Sequence, residues 1–207
     1  LISKGDVAAF IFEPLVLGAG GMLMYEAKYL DELLSTVKQH QVLCIADEVM
    51  TGFGRTGKNF AIEHLSEQPD IICLSKGITG GFLPLGVTAC TQTIYDAFYA
   101  DEKEKTFFHG HSYTANSLAC AAANASMDLL LKDDCLKRID NIIASHQTFA
   151  ESLKREKPVR NIRQQGTIIA FDINTSEQTN YFNPSGKSAY SYFIENRVLL
   201  RPLGNVI

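Results

Sequence analysis

The sequence predicts an α/β fold: a mostly parallel sheet covered by helices on both faces, followed by a smaller α+β segment. Apolar runs of strand length alternate with stretches in which apolar residues recur at helical spacing. This alternation is typical of parallel sheets joined by crossover helices. It stops near Lys132. We therefore expect residues 1–133 to be the later part of a large domain and residues 134–207 the start of a smaller one.

Four strands and three helices are expected in the first part. Each strand is a short apolar run, and a proline directly ends the first of them. The helices carry charged residues between their apolar positions. The expected strands are 7–12, 42–46, 71–74 and about 86–90, and the expected helices are 25–40, 91–99 and 115–131. The glycine-rich segments 18–21 and 51–59 are expected to be loops, the first of them flexible.

The second part begins with a long amphipathic helix, expected at about 134–156 and ending before Pro158. Two apolar segments follow, with Gln165-Gly166 between them, and they predict a β-hairpin of strands 159–164 and 167–173. A polar, turn-rich stretch leads to one more helix at about 187–196. A last strand is expected from Val198 to Arg201.

Composition narrows the class of protein. The 207 residues are 46% hydrophobic and 20% charged with a net charge of −4, which is typical of a globular protein and not of a nucleic-acid binder. No apolar stretch approaches the roughly 20 residues that span a bilayer. Five cysteines without paired spacing favour buried, reduced thiols in a cytoplasmic protein. The chain has no initial Met and starts and stops beside strands, so we expect an excerpt of a longer protein.

An aspartate and a lysine end two of the expected strands. Asp47 follows the run 42–46, Lys76 follows the run 71–74, and the separation leaves room for one crossover. Ligands of open α/β sheets bind at that edge. An amine and a carboxylate there suggest a pyridoxal phosphate (PLP) site, with Lys76 forming a Schiff base and Asp47 holding the pyridinium proton. The alternative is a strand-end lysine that points into water.

Asp47-Glu48 after an apolar run also occurs in P-loop ATPases, and the segment Gly52 to Lys58 resembles a phosphate-binding loop. However, Asn59 stands where the magnesium-binding hydroxyl should be, and the loop follows the Asp-Glu strand itself. The ATPase is therefore the weaker alternative.

Two further segments suggest anion binding. Residues 107–114 offer backbone N–H groups and hydroxyls before a helix, which suits a cofactor phosphate, although Ser112 or Thr114 could instead cap that helix. Arg201 is placed to bind a carboxylate or to form an interdomain salt bridge. The pair His109-x-His111 is the only metal-like spacing, and we interpret it as polar surface, so no metal is expected.

Longer stretches resemble the class III (ornithine-type) aminotransferases of PLP fold type I. The resemblance covers nearly the whole chain and is carried by these motifs: EPLVLGAGGM (13–22), ADEVMTGFGRTG (46–57), and the segment 69–81 with SKG at its centre. It implies part of a mostly parallel sheet of the seven-stranded type, followed by part of a small α+β C-terminal domain. It also implies a transaminase that uses PLP, an amine donor and a keto acid.

The resemblance also implies roles by position. Lys76 would form the Schiff base and carry the proton between Cα and C4′. Asp47 would pair with the pyridine nitrogen, and Val49 would pack on the ring.

The remaining roles concern the phosphate and the substrate. Ser112, with the backbone of His111, would bind the phosphate of a cofactor held mainly by the other subunit, so a homodimer with its site at the interface is implied. Gly110 and Arg201 would contact the keto acid, Arg201 through its carboxylate. This chain has His111 where the family usually has proline, a change expected to loosen the turn. Another class III enzyme acting on a different amine, and an inactive fragment, remain alternatives.

Overall fold

The computed structural model describes residues 2–207. Its strands are β1 (Ala9–Phe12), β2 (Val16–Leu17), β3 (Leu23–Met24), β4 (Leu43–Asp47), β5 (Ile71–Leu74), β6 (Val87–Cys90), β7 (Val159–Gln165) and β8 (Ile168–Ile173). Its α-helices are α1 (Ala27–Gln39), α2 (Gln92–Phe98), α3 (Ser117–Leu130), α4 (Asp133–Leu153) and α5 (Ser185–Glu195). Short 3₁₀ turns include Ala61–His64 and Lys76–Thr79.

The main sheet has the strand order β1-β4-β5-β6. The pairs β1–β4 and β4–β5 are parallel, whereas β5–β6 is antiparallel, so the mostly parallel sheet is confirmed. Asp47, the last residue of β4, lies opposite Cys73 near the end of β5. This register brings the carboxyl ends of the two strands to one edge of the sheet.

Helix α1 covers one face of the sheet. It buries Leu30, Leu34 and Val37 at helical spacing, and they belong to the same apolar core as Cys44 and Ala46 of β4. The expectation of helices over both faces is wrong at the other end of the sheet, where all four residues of β6 are exposed. There α3 packs on the Lys76–Thr79 turn.

The second part contains the expected hairpin, in which β7 and β8 are antiparallel, and α4 packs against β7. The last expected strand, Val198 to Arg201, is wrong. The segment that pairs with β8 comes later: Ile207 and Phe171 exchange two backbone hydrogen bonds of 2.9 Å, and Ile173 donates to Asn205. Residues 198–201 have no neighbouring strand to pair with.

The first glycine-rich segment is the turn of a short hairpin, and its expected flexibility stays a prediction. Strands β2 and β3 pair on either side of it, and the N–H of Gly21 donates to the carbonyl of Gly18 at 3.2 Å. We call residues 18–22 the glycine turn.

The hairpin tip joins the two parts of the chain. Thr167 N donates to Arg55 O at 2.9 Å, and the Gln165 side chain donates to Thr56 O at 3.4 Å. The chain therefore packs the hairpin onto the loop that follows β4. The division at residue 133 stays a prediction.

No helix in residues 2–207 is long and apolar enough to cross a bilayer. All five cysteines are free thiols. Cys44 is buried, but the expectation of buried thiols is wrong for Cys90, which is exposed because β6 lies at the uncovered edge.

Candidate active site

Asp47 and Lys76 lie at the same edge of the sheet. The pairing of β4 with β5 continues past Asp47, because the N–H of Glu48 donates to Cys73 O at 3.0 Å. The chain then leaves β5 and enters the 3₁₀ turn at Lys76. Lys76 is exposed and has a left-handed backbone (φ 46°), an uncommon conformation for a residue with a side chain.

Neighbouring residues hold the lysine turn in place. The Ser75 hydroxyl donates to Leu85 O at 2.7 Å, and the Ser126 hydroxyl of α3 donates to Gly77 O at 3.3 Å. A Cβ at Gly77 would lie 2.8 Å from the ring of Phe53, so this position requires glycine. Strained backbone persists only where its surroundings fix it, and such sites cluster at functional positions.

The Asp47 carboxylate is only partly satisfied. Its Oδ1 accepts the N–H of Val49 at 3.0 Å, and in residues 2–207 its Oδ2 has no hydrogen-bond partner. Burial, and then the charge of Asp47, raise the pKa of the Cys73 thiol. The amine of Lys76 likewise makes no ion pair within the described range. Both groups are thus available to a ligand.

Glu48 has a structural task that sequence reasoning missed. Its side chain is fully buried, and its two oxygens accept the Thr51 hydroxyl at 2.6 Å and the Ile62 N–H at 2.8 Å. It therefore fixes the glycine-rich loop to the end of β4. A carboxylate directly after a buried strand was the available signal.

Residues 110–114 form a closed turn. The His111 N–H donates to the Thr114 hydroxyl at 2.9 Å, and the Thr114 N–H donates back to His111 O at 2.9 Å. The His111 ring takes part as well, because its Nδ1 accepts the Tyr113 N–H at 3.1 Å. Ser112 is exposed at the centre of this turn. The turn is thus closed by three hydrogen bonds without proline, and its expected loosening stays a prediction.

A cleft of about 830 Å³ lies beside the lysine turn. Gly110 and His111 line one side of it and Ser75, the neighbour of Lys76, another. The alternative role of Ser112 or Thr114 as the helix cap is wrong: Asn116 caps α3 through its Oδ1, which accepts the Ala119 N–H at 3.1 Å.

Arg201 lies in a separate hollow of about 490 Å³. We call this hollow the Arg201 trough; its lining includes Gly18, Met22, Met50, Ile168, Tyr181 and Arg201. The Arg201 guanidinium donates to the Tyr181 hydroxyl at 3.4 Å and makes no salt bridge within residues 2–207.

The cleft and the trough share no lining residue, so the structure does not bring Gly110 and Arg201 together in one hollow. Within residues 2–207, the linings of the two hollows include neither Asp47 nor Lys76, although each includes a residue close to one of them in the chain. Met50, next to Val49, lines the trough, and Ser75 lines the cleft. Neither Met50 nor Tyr181 was a candidate from the sequence, because an uncharged side chain gives no signal of what it faces.

The ATPase alternative does not fit this geometry. The loop Gly52 to Lys58 leads to the short 3₁₀ turn Ala61–His64 and not to the helix whose N-terminus would receive a phosphate. Its Gly54 packs against Ile139 of α4.

Comparison with known proteins identifies the family to which the chain is similar. The family model described as aminotransferase class-III matches residues 2–207. A curated relative from Synechococcus elongatus, named adenosylmethionine-8-amino-7-oxononanoate aminotransferase, is 48% identical over 100% of this chain and 48% of its own length. The enzyme of that name from Methanocaldococcus jannaschii has a solved structure that superposes with a TM-score of 0.87 at 36% identity, covering 95% of this chain and 47% of the other.

A PLP-bound amine transaminase from an uncultivated Pseudomonas species superposes with a TM-score of 0.88 at 33% identity, covering 100% of this chain and 48% of the other. The chain thus spans about half the length of the proteins that it matches. Since the family model covers all the residues that the structure describes, the chain belongs to the class III aminotransferases.

Proposed function

We propose that the chain forms part of a PLP-dependent transaminase of biotin biosynthesis. The enzyme would convert 8-amino-7-oxononanoate to 7,8-diaminononanoate with S-adenosylmethionine as the amino donor. The observation that carries the transaminase is the Asp47–Lys76 edge: Asp47 ends β4 and Lys76 follows the adjacent β5. Within residues 2–207 the Lys76 amine makes no ion pair and one Asp47 oxygen has no hydrogen-bond partner. The substrate is supported by the name of the Synechococcus relative.

The residues at this edge fit PLP. Asp47 would hold the proton on the pyridine nitrogen with its Oδ2, and Val49 would pack on the ring. Ser112, which is exposed, would bind the phosphate with its hydroxyl. The His111 backbone would join it once its N–H releases the bond that it donates to Thr114. When bound, PLP supplies an electrophilic carbon for amines and an electron-accepting ring.

Lys76 then has two tasks in our proposal. Its amine holds the cofactor between turnovers and carries a proton between the Cα of the bound amine and C4′. The left-handed backbone at Lys76 and its fixed neighbours keep the start of this long side chain in one place. An amine must be held in position to reach both Cα and C4′.

The Arg201 trough suits the keto acid. Its walls are mostly apolar, and Arg201 is its cationic group, so it would take a carboxylate on a long methylene chain. 8-Amino-7-oxononanoate has that form. Gly110, in the other hollow, would contact the same substrate in the assembled enzyme.

We also propose the assembly that the family resemblance implies. The chain would act in a homodimer whose site lies at the subunit interface, and residues 1–133 and 134–207 would belong to the large and small domains. The exposed aromatic residues of segment 107–113 support a covered surface there.

The test is covalent attachment of PLP. The chain is incubated with PLP and reduced with borohydride, and the labelled peptide is identified by mass spectrometry. We expect a visible absorption band and label on Lys76, with both lost in Lys76→Ala. Lys187→Ala, at another exposed lysine, is the control. Label that persists in Lys76→Ala would remove Lys76 from its role.

A second candidate is another class III enzyme that uses a different amine, such as ornithine, 4-aminobutyrate or lysine. The structural similarity to the Pseudomonas amine transaminase, with a TM-score of 0.88, supports this second candidate, because the shared fold does not distinguish between amine donors. A panel of amine donors with 8-amino-7-oxononanoate as acceptor separates the two. A chain that shows no absorption band with PLP would instead be an inactive fragment.

A further inference from the structure

Arg163 of β7 binds the glycine turn across 141 residues of sequence. Its Nε donates to Met22 O at 2.7 Å, and its Nη2 donates to Gly21 O at 2.7 Å. The proposed reaction gives this arginine no role. Two parallel bonds from one guanidinium to consecutive carbonyls fix both the position and the orientation of the turn.

The other side of the guanidinium is anchored in the second part of the chain. Its Nη1 donates to Asp172 Oδ1 at 2.8 Å and to Asn161 O at 2.6 Å. Asp172 accepts a further bond from the Asn161 side chain at 2.8 Å. The Arg163 and Asp172 side chains are only 16% and 4% exposed. Because the Arg163–Asp172 ion pair is enclosed and fully hydrogen-bonded, the two side chains are held in a single arrangement.

The glycine turn needs such an anchor. Gly21 has φ 93° and Met22 has φ 53°, and the second value is uncommon for a residue with a Cβ. At its other end the turn is close to Met50, because a Cβ at Gly18 would overlap the Met50 sulfur. Arg163 therefore holds the turn at Gly21 and Met22, and Met50 contacts it at Gly18.

This turn is a wall of the Arg201 trough, since Gly18, Ala19 and Met22 line it. We infer that Arg163 is a specificity-determining positioning residue: by holding this wall it makes the trough select carboxylates that carry a long apolar chain. The inference rests on the proposed function only in taking Arg201 as the carboxylate-binding group.

The test compares two carboxylates, octanoate and acetate, by calorimetry on the unaltered chain and on Arg163→Lys. Lysine keeps a positive charge beside Asp172 but lacks the planar fork that reaches both carbonyls. We expect Arg163→Lys to bind octanoate roughly tenfold more weakly, as for the loss of one coupled contact. Acetate affinity should stay unchanged, because acetate needs Arg201 and not the wall.

Arg160→Lys is the matched control. Arg160 lies on the same strand, and its guanidinium donates to Thr179 and not to the glycine turn. This variant should keep the octanoate-to-acetate ratio of the unaltered chain. A general loosening of the hairpin would change both arginine variants alike and would overturn the inference.

The remaining outcomes separate the inference from the proposed function. An unchanged ratio in Arg163→Lys, with binding abolished by Arg201→Gln, overturns the inference and leaves the carboxylate site standing. Octanoate binding that is absent, or that survives Arg201→Gln, overturns both, while the PLP labelling of Lys76 is a separate result. If circular dichroism shows Arg163→Lys unfolded, Asp172→Asn decides, since it weakens the same anchor: a retained ratio overturns the inference.

Discussion

His111 closes its turn with its side chain at a position where the family resemblance led us to expect proline. Proline restricts a turn by fixing φ. The imidazole achieves a similar order by accepting the Tyr113 N–H, while the His111 N–H, which a proline would lack, donates to Thr114. Because Nδ1 accepts, the neutral ring carries its proton on Nε2. The closed form of this turn thus depends on one hydrogen-bond acceptor, the Nδ1 atom of His111.

Replacing His111 tests that dependence. Asn offers an acceptor oxygen to the same backbone N–H, as in an Asx turn, and Ala offers none. We expect His111→Ala to weaken PLP binding roughly fivefold, the size of one hydrogen bond, and His111→Asn to stay near the unaltered chain. Binding is measured by the visible spectrum. Pyridoxal, which lacks the phosphate, is the control ligand and should bind all three chains equally; equal losses for both ligands would contradict the prediction.

At the scale of residues, the sequence predicted where Asp47 and Lys76 lie better than it predicted the contacts around them. Asp47 and Lys76 were recognisable because each ends an apolar run, and their shared edge follows from strand pairing. Arg163 and Tyr181 were not, because their partners lie far away in the sequence and no local pattern marks such contacts. The separation of the cleft from the trough could not be predicted for the same reason.

At the scale of elements, periodicity predicted strands and helices wherever the apolar pattern was long. Helices α1, α3 and α4 lie within a few residues of their expected bounds. The failures were short segments. Residues 198–201 have strand-like composition but no partner strand, and the β2–β3 pair is only two residues long on each side. Pairing in such segments depends on tertiary contacts and not on composition.

The tip of the β7–β8 hairpin depends on Gly166. Its φ is 58°, and a Cβ there would overlap the backbone of Thr56 and Gly57. We expect Gly166→Ala to lower the free energy of unfolding by about 2 kcal/mol or more, measured by urea titration.

Gly5→Ala isolates the strain from the clash. Gly5 has φ 70°, but a Cβ added to it would meet no other group within 4 Å. The change should cost about 1 kcal/mol, the left-handed penalty alone. Equal losses in the two variants would show that the docking of the hairpin tip contributes nothing.

At the scale of the whole molecule, segment 107–118 carries several exposed apolar side chains. Phe107, Phe108, Tyr113 and Leu118 are 63%, 83%, 73% and 73% exposed. Patches of this kind mark surfaces that other protein covers. They agree with the proposed homodimer, whose site would include the turn 110–114.

The dimer is tested by sedimentation velocity over a range of concentrations. We expect a species of twice the monomer mass that Phe108→Ser shifts toward monomer, since serine removes apolar area from the interface. Phe182→Ser is the control, because Phe182 is 88% exposed but lies in the second part, outside segment 107–118. A dimer unaffected by Phe108→Ser, or equally weakened by Phe182→Ser, would contradict this interface.

The long reach of Arg163 also bears on the order of folding. The main sheet closes with residues up to Cys90, whereas the glycine turn receives its anchor only when β7 is in place. Closing so distant a contact is slow and entropically costly. We therefore expect the sheet to form before Arg163 fixes the glycine turn, so that the selectivity inferred for the trough would arise late during synthesis.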